Sequence, residues 1–231
     1  FGFQDNGEAF LALSKALPLK YLQKHRDSIL QMEALVFGQA GFLEKVIEED
    51  AYMKALKKEY EFLKNKYQLE SLDVVMWKIG KLRPANFPTI RISQFIAFLY
   101  EYPFVLSTFL DSPTIINFTR KFQITQSPYW QWHYTFGKLT KKKVPTLGKG
   151  SIESIVINTA VPLLIAYGKQ KQEKKYQEKA LDWLKNIKAE KNSITKLMEE
   201  CSFELKTAYD TQGVIELNKN YCQKKRCLEC C

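Results

Sequence analysis

Residues 50–68, DAYMKALKKEYEFLKNKYQ, carry the clearest pattern in the chain. Apolar side chains recur there at three- and four-residue steps, at Met53, Leu56, Tyr60, Leu63 and Tyr67. This spacing places them on one face of an α-helix and leaves most of the lysines and glutamates on the other. The stretch therefore predicts an amphipathic helix that packs on a core by one face.

Helical periodicity recurs on both sides of this stretch. We expect Asn6 to cap a first helix, Asp27 to begin another, and Ser151 to begin a long apolar helix that Pro162 kinks. The chain has only 10 Gly and 8 Pro, few for the tight turns of a sheet protein. The predicted fold class is all-α: an irregular multi-helix domain with Pro-rich and aromatic-rich connecting loops and a C-terminal Cys knuckle.

Composition bounds the class of protein and its domains. Of the 231 residues, 45% are hydrophobic and 26% charged, which excludes wholesale disorder, a collagen-like fibre and a small disulfide-stapled toxin. We predict a single helical domain over residues 1–231, with a possible sub-boundary near 138–150 and a Cys-rich terminal segment at 218–231. The abrupt start and end suggest a C-terminal fragment of a longer protein, whose missing N-terminal half is an expected partner.

The charge balance favours an anionic partner. The chain has 35 basic and 25 acidic residues, a net charge of +10, and the excess is greatest in residues 51–150. Such a surface attracts nucleic acid or another polyanion. The alternative is a solubilising lysine-rich surface, because only five of the basic residues are Arg.

Membrane insertion is not expected. The most apolar stretch, 155–167, has 13 residues and is interrupted by polar residues and Pro162. A spanning helix needs about 20 apolar residues. We therefore expect a cytoplasmic protein without a membrane partner.

The terminal cysteines form the sharpest motif. Cys222, Cys227 and Cys230 follow a Cys-x4-Cys-x2-Cys spacing. Closely spaced thiolates suit zinc, and the same spacing occurs around iron–sulfur clusters, so the pattern does not decide between the two cofactors. A fourth ligand is required, and free thiols are the alternative interpretation.

A proline-flanked stretch, LRPANFPTIR at 82–91, carries a second candidate site. Two prolines hold the backbone extended there, so Arg83, Asn86 and Arg91 are candidates for binding a phosphate or carboxylate. The alternative is that these arginines pair with buried carboxylates or helix C-termini.

The third candidate lies where SPYWQWHYTF (127–136) meets the lysine-rich stretch KLTKKKVPTLGKG (138–150). Aromatic faces beside a basic run suit single-stranded nucleic acid, through stacking and phosphate attraction. The residues assigned to this role are Trp130, His133, Lys141, Lys142 and Lys143. The alternative is an aromatic mini-core that holds His133 by a hydrogen bond.

Several long motifs together resemble one family. They are LPLKYLQKHRDSILQMEALVFGQAGFL (17–43), WKIGKLRPANFPTIRISQF (77–95), YWQWHYTFGK (129–138), INTAVPLLIAYG (157–168) and NKNYCQKKRCLEC (218–230). The resemblance is to the bacterial domain of unknown function 2851 family, found mostly in Bacteroidetes. It implies that the chain is the C-terminal half of a longer protein and that its three spaced cysteines belong to the family motif. It implies no established activity, although the missing half faintly resembles a metal-dependent nuclease.

Three functional hypotheses follow. The first is an uncharacterised helical accessory domain that binds nucleic acid or another polyanion and carries a Cys-ligated metal. The second is a structural or protein-interaction domain that docks the missing N-terminal half and has no ligand of its own. The third, an enzyme with a site around Arg83, Asn86 and His133, has little support because the chain lacks a nucleotide-binding glycine loop and a Ser-His-Asp pattern. We assign no catalytic residue.

Overall fold

Helices account for most of the residues that the computed structural model describes, which are 1–44 and 50–230. Only one short two-stranded hairpin accompanies them in that part of the chain, so the all-α prediction is confirmed. The described chain divides into two units. Unit 1 is Phe1–Val105 with Lys121–Gly148, and unit 2 is Leu106–Arg120 with the chain from Lys149 onward. The junction at Gly148 falls within 138–150, and the single-domain assignment stays a prediction.

The described residues of unit 1 form five α-helices and the hairpin. They are α1 (Phe3–Ala16), α2 (Leu19–Lys24), α3 (Ile29–Gln39), α4 (Ala51–Tyr67) and α5 (Pro88–Glu101), followed by β1 (His133–Thr135) and β2 (Lys138–Leu139). The strands are antiparallel, with His133 paired to Leu139 and Thr135 to Lys138. Gly137, with φ of 71°, makes the turn between them.

Helix α3 is the centre of unit 1. Apolar residues surround its axis, and every residue from Met32 to Gln39 is buried. Helix α4 packs on it through the predicted face, of which Met53, Leu56, Tyr60 and Leu63 are buried and Tyr67 is half-buried. Local periodicity was therefore sufficient to place α4.

Three predicted helix starts differ from the structure, and one is Ser151, since the helix that contains it begins at Lys149. Helix α3 is capped by Ser28 rather than Asp27, because the Ser28 hydroxyl accepts from the Gln31 N–H at 3.3 Å. Asn6 lies inside α1, where its φ of −120° breaks the helix. Its side-chain amide instead bonds both the N–H and the carbonyl of Lys78, at 2.8 and 3.0 Å, which explains why it leaves the helical conformation.

The described residues of unit 2 form seven further α-helices. They are α6 (Val105–Asp111, beginning one residue before the unit), α7 (Ile115–Arg120), α8 (Lys149–Ile155), α9 (Val161–Lys171), α10 (Lys174–Lys185), α11 (Ser193–Glu200) and α12 (Ala208–Leu217). Trp183 and Phe118 stack in its core, with ring centroids 4.8 Å apart. The chain turns sharply between α9 and α10 at Gln172, whose φ is 57°.

The helix interruption at Pro162 takes the form of a π-helical segment, Val156–Ala160. Proline has no N–H to donate, and the preceding Val161 N–H bonds the Val156 carbonyl instead of the usual one. The segment joins α8 and α9 into one helical run of 23 residues, Lys149–Lys171.

That run corrects the expectation that no segment is long enough to cross a membrane. Its best window has a mean hydropathy of 1.4, and 39% of the window is buried inside the protein. By length and composition alone it could span a bilayer, and a core helix of a soluble protein passes the same test. The cytoplasmic location stays a prediction.

Candidate polyanion-binding surface

Trp130 belongs to the core of unit 1. The side chain is 0% exposed and stacks on Phe37 of α3, with centroids 4.7 Å apart. Its indole N–H donates to the Tyr52 hydroxyl at 3.1 Å. A ring enclosed in this way has no free face for a nucleobase, so we withdraw Trp130 as a stacking residue.

Trp132, two residues later, is the exposed aromatic residue of the same segment. It is 44% exposed, whereas the other three tryptophans are buried. Of the two tryptophans, the one assigned to stacking from the sequence, Trp130, is the buried one. Which of the two tryptophans is buried depends on how the 3-10 turn Tyr129–Gln131 packs against α3, and no local sequence pattern indicates that contact.

Three rings form a column beside these tryptophans. Tyr129 lies between Tyr52 and His133, with centroid distances of 3.9 and 3.8 Å and interplanar angles of 18° and 3°. His133 Nδ1 also lies 2.8 Å from the Tyr129 carbonyl oxygen. This geometry supports the aromatic mini-core interpretation for Tyr129, Trp130 and His133.

Asp50 holds Tyr129, the middle ring of the column, in place. Its carboxylate caps α4 at the Met53 N–H and accepts from the Tyr129 hydroxyl at 2.6 Å. Partial burial favours the neutral acid, but hydrogen bonds from Tyr129 and the backbone, with the charge of His133, outweigh it and lower the pKa of Asp50. Burial and the bond to Asp50 raise the pKa of Tyr129. The pair is therefore a carboxylate and a neutral phenol at neutral pH.

Glu33 is a functional candidate that the sequence analysis missed. Its side chain, 2% exposed, accepts hydrogen bonds from Tyr52 at 2.8 Å and from Ser127 at 2.6 Å. Burial raises its pKa to about 7, even though both hydroxyls favour the charged form. An acid within the otherwise apolar run MEALVFG (32–38) was the available signal.

The lysine loop, defined here as residues 140–144, is held at both ends. The Thr140 N–H donates to the Trp132 carbonyl and the Val144 N–H to the Gln131 carbonyl, each at 2.8 Å. The Thr140 hydroxyl also donates to the Lys142 carbonyl at 2.7 Å. Lys141, Lys142 and Lys143 between these anchors are all exposed.

The sequence segment that contains the lysine loop carries only positive charge. The second part of unit 1, Lys121–Gly148, contains five lysines and no Asp or Glu. No carboxylate within this segment neutralises the three exposed ammonium groups. Such a segment favours contact with an anion that has several charges.

Arg91 is turned into unit 1. It is 8% exposed and donates to the side-chain oxygens of Asn86 and Gln94 at 2.6 and 3.0 Å. Its guanidinium lies 4.5 Å from the Phe3 ring centroid, and burial lowers its pKa to about 10. We therefore withdraw Arg91 from the anion-binding set. Its partners include the side-chain amides of Asn86 and Gln94.

Arg83 and Asn86 are exposed on the turn that precedes α5. The first turn of α5 supports the hairpin, because the Thr89 hydroxyl donates to the Tyr134 carbonyl at 2.6 Å. Arg83 remains available to a ligand, whereas Asn86 already accepts from Arg91.

The terminal cysteines belong to unit 2. Cys222 ends a π-helical segment, Asn218–Cys222, and Cys227 begins the 3-10 turn Cys227–Glu229. Cys222, Cys227 and Cys230 are exposed free thiols. Within residues 1–44 and 50–230 no group of three or more His, Cys, Asp or Glu is arranged to hold a metal ion. Cys231 lies outside the described residues, and the zinc or iron–sulfur assignment stays a prediction.

Comparison with known proteins identifies a family. A family model described as "Protein of unknown function (DUF2851)" matches residues 1–193. The match includes the aromatic segment and the lysine loop and ends before the cysteine motif. It therefore does not show that the cysteine motif is a family property. It also does not assign the chain to the C-terminal half of a family protein. Neither a search of curated proteins nor one of solved structures finds a match.

Proposed function

We propose that this chain, which belongs to the DUF2851 family of proteins of unknown function, binds a polyanion through the lysine loop of unit 1. We expect that polyanion to be nucleic acid. The observation that carries the proposal is the placement of Lys141, Lys142 and Lys143. All three are exposed on a loop that is closed by backbone hydrogen bonds, in a segment without acidic residues.

The anchored backbone supports binding in two ways. The loop loses little further backbone freedom when a ligand binds, because Thr140 and Val144 are already fixed. Lysine ammonium groups act as compact point charges and favour phosphate without reading sequence. The expected mode is therefore sequence-independent contact with the phosphate backbone.

The proposal is tested by comparing two charge-matched triple variants of the full chain. The first is Lys141→Ala/Lys142→Ala/Lys143→Ala. The control is Lys54→Ala/Lys58→Ala/Lys66→Ala, which removes three exposed lysines from α4 of the same unit. Binding of a fluorescent DNA oligonucleotide is followed by anisotropy at low salt.

We expect the loop variant to bind about tenfold or more weakly and the α4 variant to remain within about twofold of the wild type. Equal losses in both variants would show that net charge alone attracts DNA, and would reject a defined site. Absence of binding by the wild type would reject the proposed function and favour the alternative role as a protein-interaction domain.

A further inference from the structure

Trp132 is one of the exposed large apolar residues of unit 1. An indole ring normally contributes to stability by leaving water, yet this ring is 44% exposed. Among the residues that the structure describes, no aromatic ring or cation packs against it. Its solvent-facing surface is therefore available to a ligand.

The backbone that carries Trp132 is rigid. Its N–H donates to the Tyr129 carbonyl at 3.1 Å, and its carbonyl accepts from Thr140 at 2.8 Å. The neighbouring Trp130 is locked in the core by stacking on Phe37. The main chain under the indole ring is therefore fixed before a ligand arrives, so binding orders little further backbone.

The same hydrogen bond joins Trp132 to the lysine loop. Thr140 is the bonded partner, and Lys141 follows it directly in the chain. A flat ring and three ammonium groups thus lie on adjoining backbone. Single strands are bound by this combination, because bases stack on the ring while phosphates meet the cations.

We propose that the ligand is single-stranded nucleic acid and that Trp132 is the residue on which a base stacks. The inference rests on the proposed function and makes it more specific. In a duplex the base faces are covered by neighbouring pairs, so a duplex meets the lysines and gains nothing from Trp132. An unpaired base gains both contacts.

Two oligonucleotides of equal length separate stacking from charge. One is oligo-dT, and the other is an abasic strand with the same number of phosphates and no bases. We expect the full-length protein to bind oligo-dT about tenfold more tightly, since stacking on one aromatic ring is worth about 1–3 kcal/mol per base. Trp132→Ala should remove this preference and leave the affinity for the abasic strand unchanged.

Tryptophan emission gives a second readout. Because Trp132 is the exposed member of the four tryptophans, quenching by oligo-dT reports contact with its ring, and acrylamide quenching should fall in the complex. Trp132→Phe should retain most of the preference, because phenylalanine also presents a π-face. Phe62→Ala, which removes another exposed aromatic ring of unit 1, is the matched control and should retain all of it.

The outcomes distinguish the inference from its premise. Equal affinity for oligo-dT and the abasic strand, or a preference that survives Trp132→Ala, would overturn the stacking role and leave polyanion binding intact. Equal affinity for the single strand and a duplex would likewise overturn it. Failure of every strand to bind would overturn the proposed function itself.

Discussion

The Ser127 hydroxyl lies 2.6 Å from Glu33 Oε1 and donates a hydrogen bond to it. This bond joins the start of the aromatic segment to the middle of α3, 94 residues earlier in the chain. Tyr52 donates to the other carboxyl oxygen and accepts from Trp130, so Glu33 holds α4 and the aromatic segment together. The position of Trp132 and the lysine loop therefore depends on a buried carboxyl group outside the proposed binding surface.

Glu33 should make stability depend on pH. In the folded protein the Glu33 carboxyl keeps its proton up to about pH 7, whereas an unperturbed glutamate has a pKa near 4.5. The stabilisation from this group is therefore complete below pH 4.5 and is lost as the pH rises through 7.

Glu33→Gln, which carries no charge, should be more stable than the wild type at pH 8, by an amount on the order of 2–3 kcal/mol. The advantage should disappear at pH 4, where both side chains are neutral. Urea unfolding of both proteins at the two pH values measures the difference. A difference that is independent of pH would show that Glu33 is not titrating in the folded protein.

Gly38 should tolerate no side chain. An added Cβ atom would overlap the ring of Tyr60, which packs directly on the glycine where α3 meets α4. We expect Gly38→Ala to lower the free energy of unfolding by about 1–3 kcal/mol, as overpacking commonly does. Gly80→Ala is the control, since its Cβ would meet open space. Similar urea midpoints for the two variants would disprove the close packing of α3 on α4.

Lys179 should stabilise unit 2 through the carbonyl end of α6. Its ammonium donates to the carbonyls of Phe109 and Leu110 at 3.2 and 2.9 Å, and burial lowers its pKa. Lys179→Met preserves the length of the side chain and removes both bonds. We expect a loss of about 1–3 kcal/mol in thermal or urea unfolding. The exposed Lys174→Met on the same helix should change little, and an equal effect of both would refute the capping role.

The cysteine motif makes a prediction about metal content. If Cys222, Cys227 and Cys230 ligate a metal, protein purified without oxygen should contain about one zinc ion or one iron–sulfur cluster per chain. Elemental analysis and the visible absorption spectrum distinguish the two. Cys227→Ser should lose the metal, while Cys201→Ser, which alters another exposed thiol, should keep it. Metal-free wild-type protein would leave these cysteines as free thiols.

Local pattern predicted that the chain is helical, although not every helix start, and it did not predict which side chains of the candidate surface are exposed. The face of α4 follows from three- and four-residue spacing, which depends only on helix geometry. Trp130 and Trp132 are two positions apart in an irregular segment, and contacts with Phe37 and Tyr52 decide which of them is buried. The charge of Arg91 predicts an exposed side chain. In the fold the side chain is buried and donates to the Asn86 amide oxygen, a contact that only the fold reveals.

The central claim is tested most directly by the salt dependence of oligonucleotide binding. Each lysine that neutralises a phosphate contributes about 0.7 to the slope of log affinity against log salt for a single strand. For the Lys141→Ala/Lys142→Ala/Lys143→Ala variant, the account predicts a slope shallower than the wild-type slope by about 2. An unchanged slope would show that these lysines do not contact the phosphates and would contradict the account.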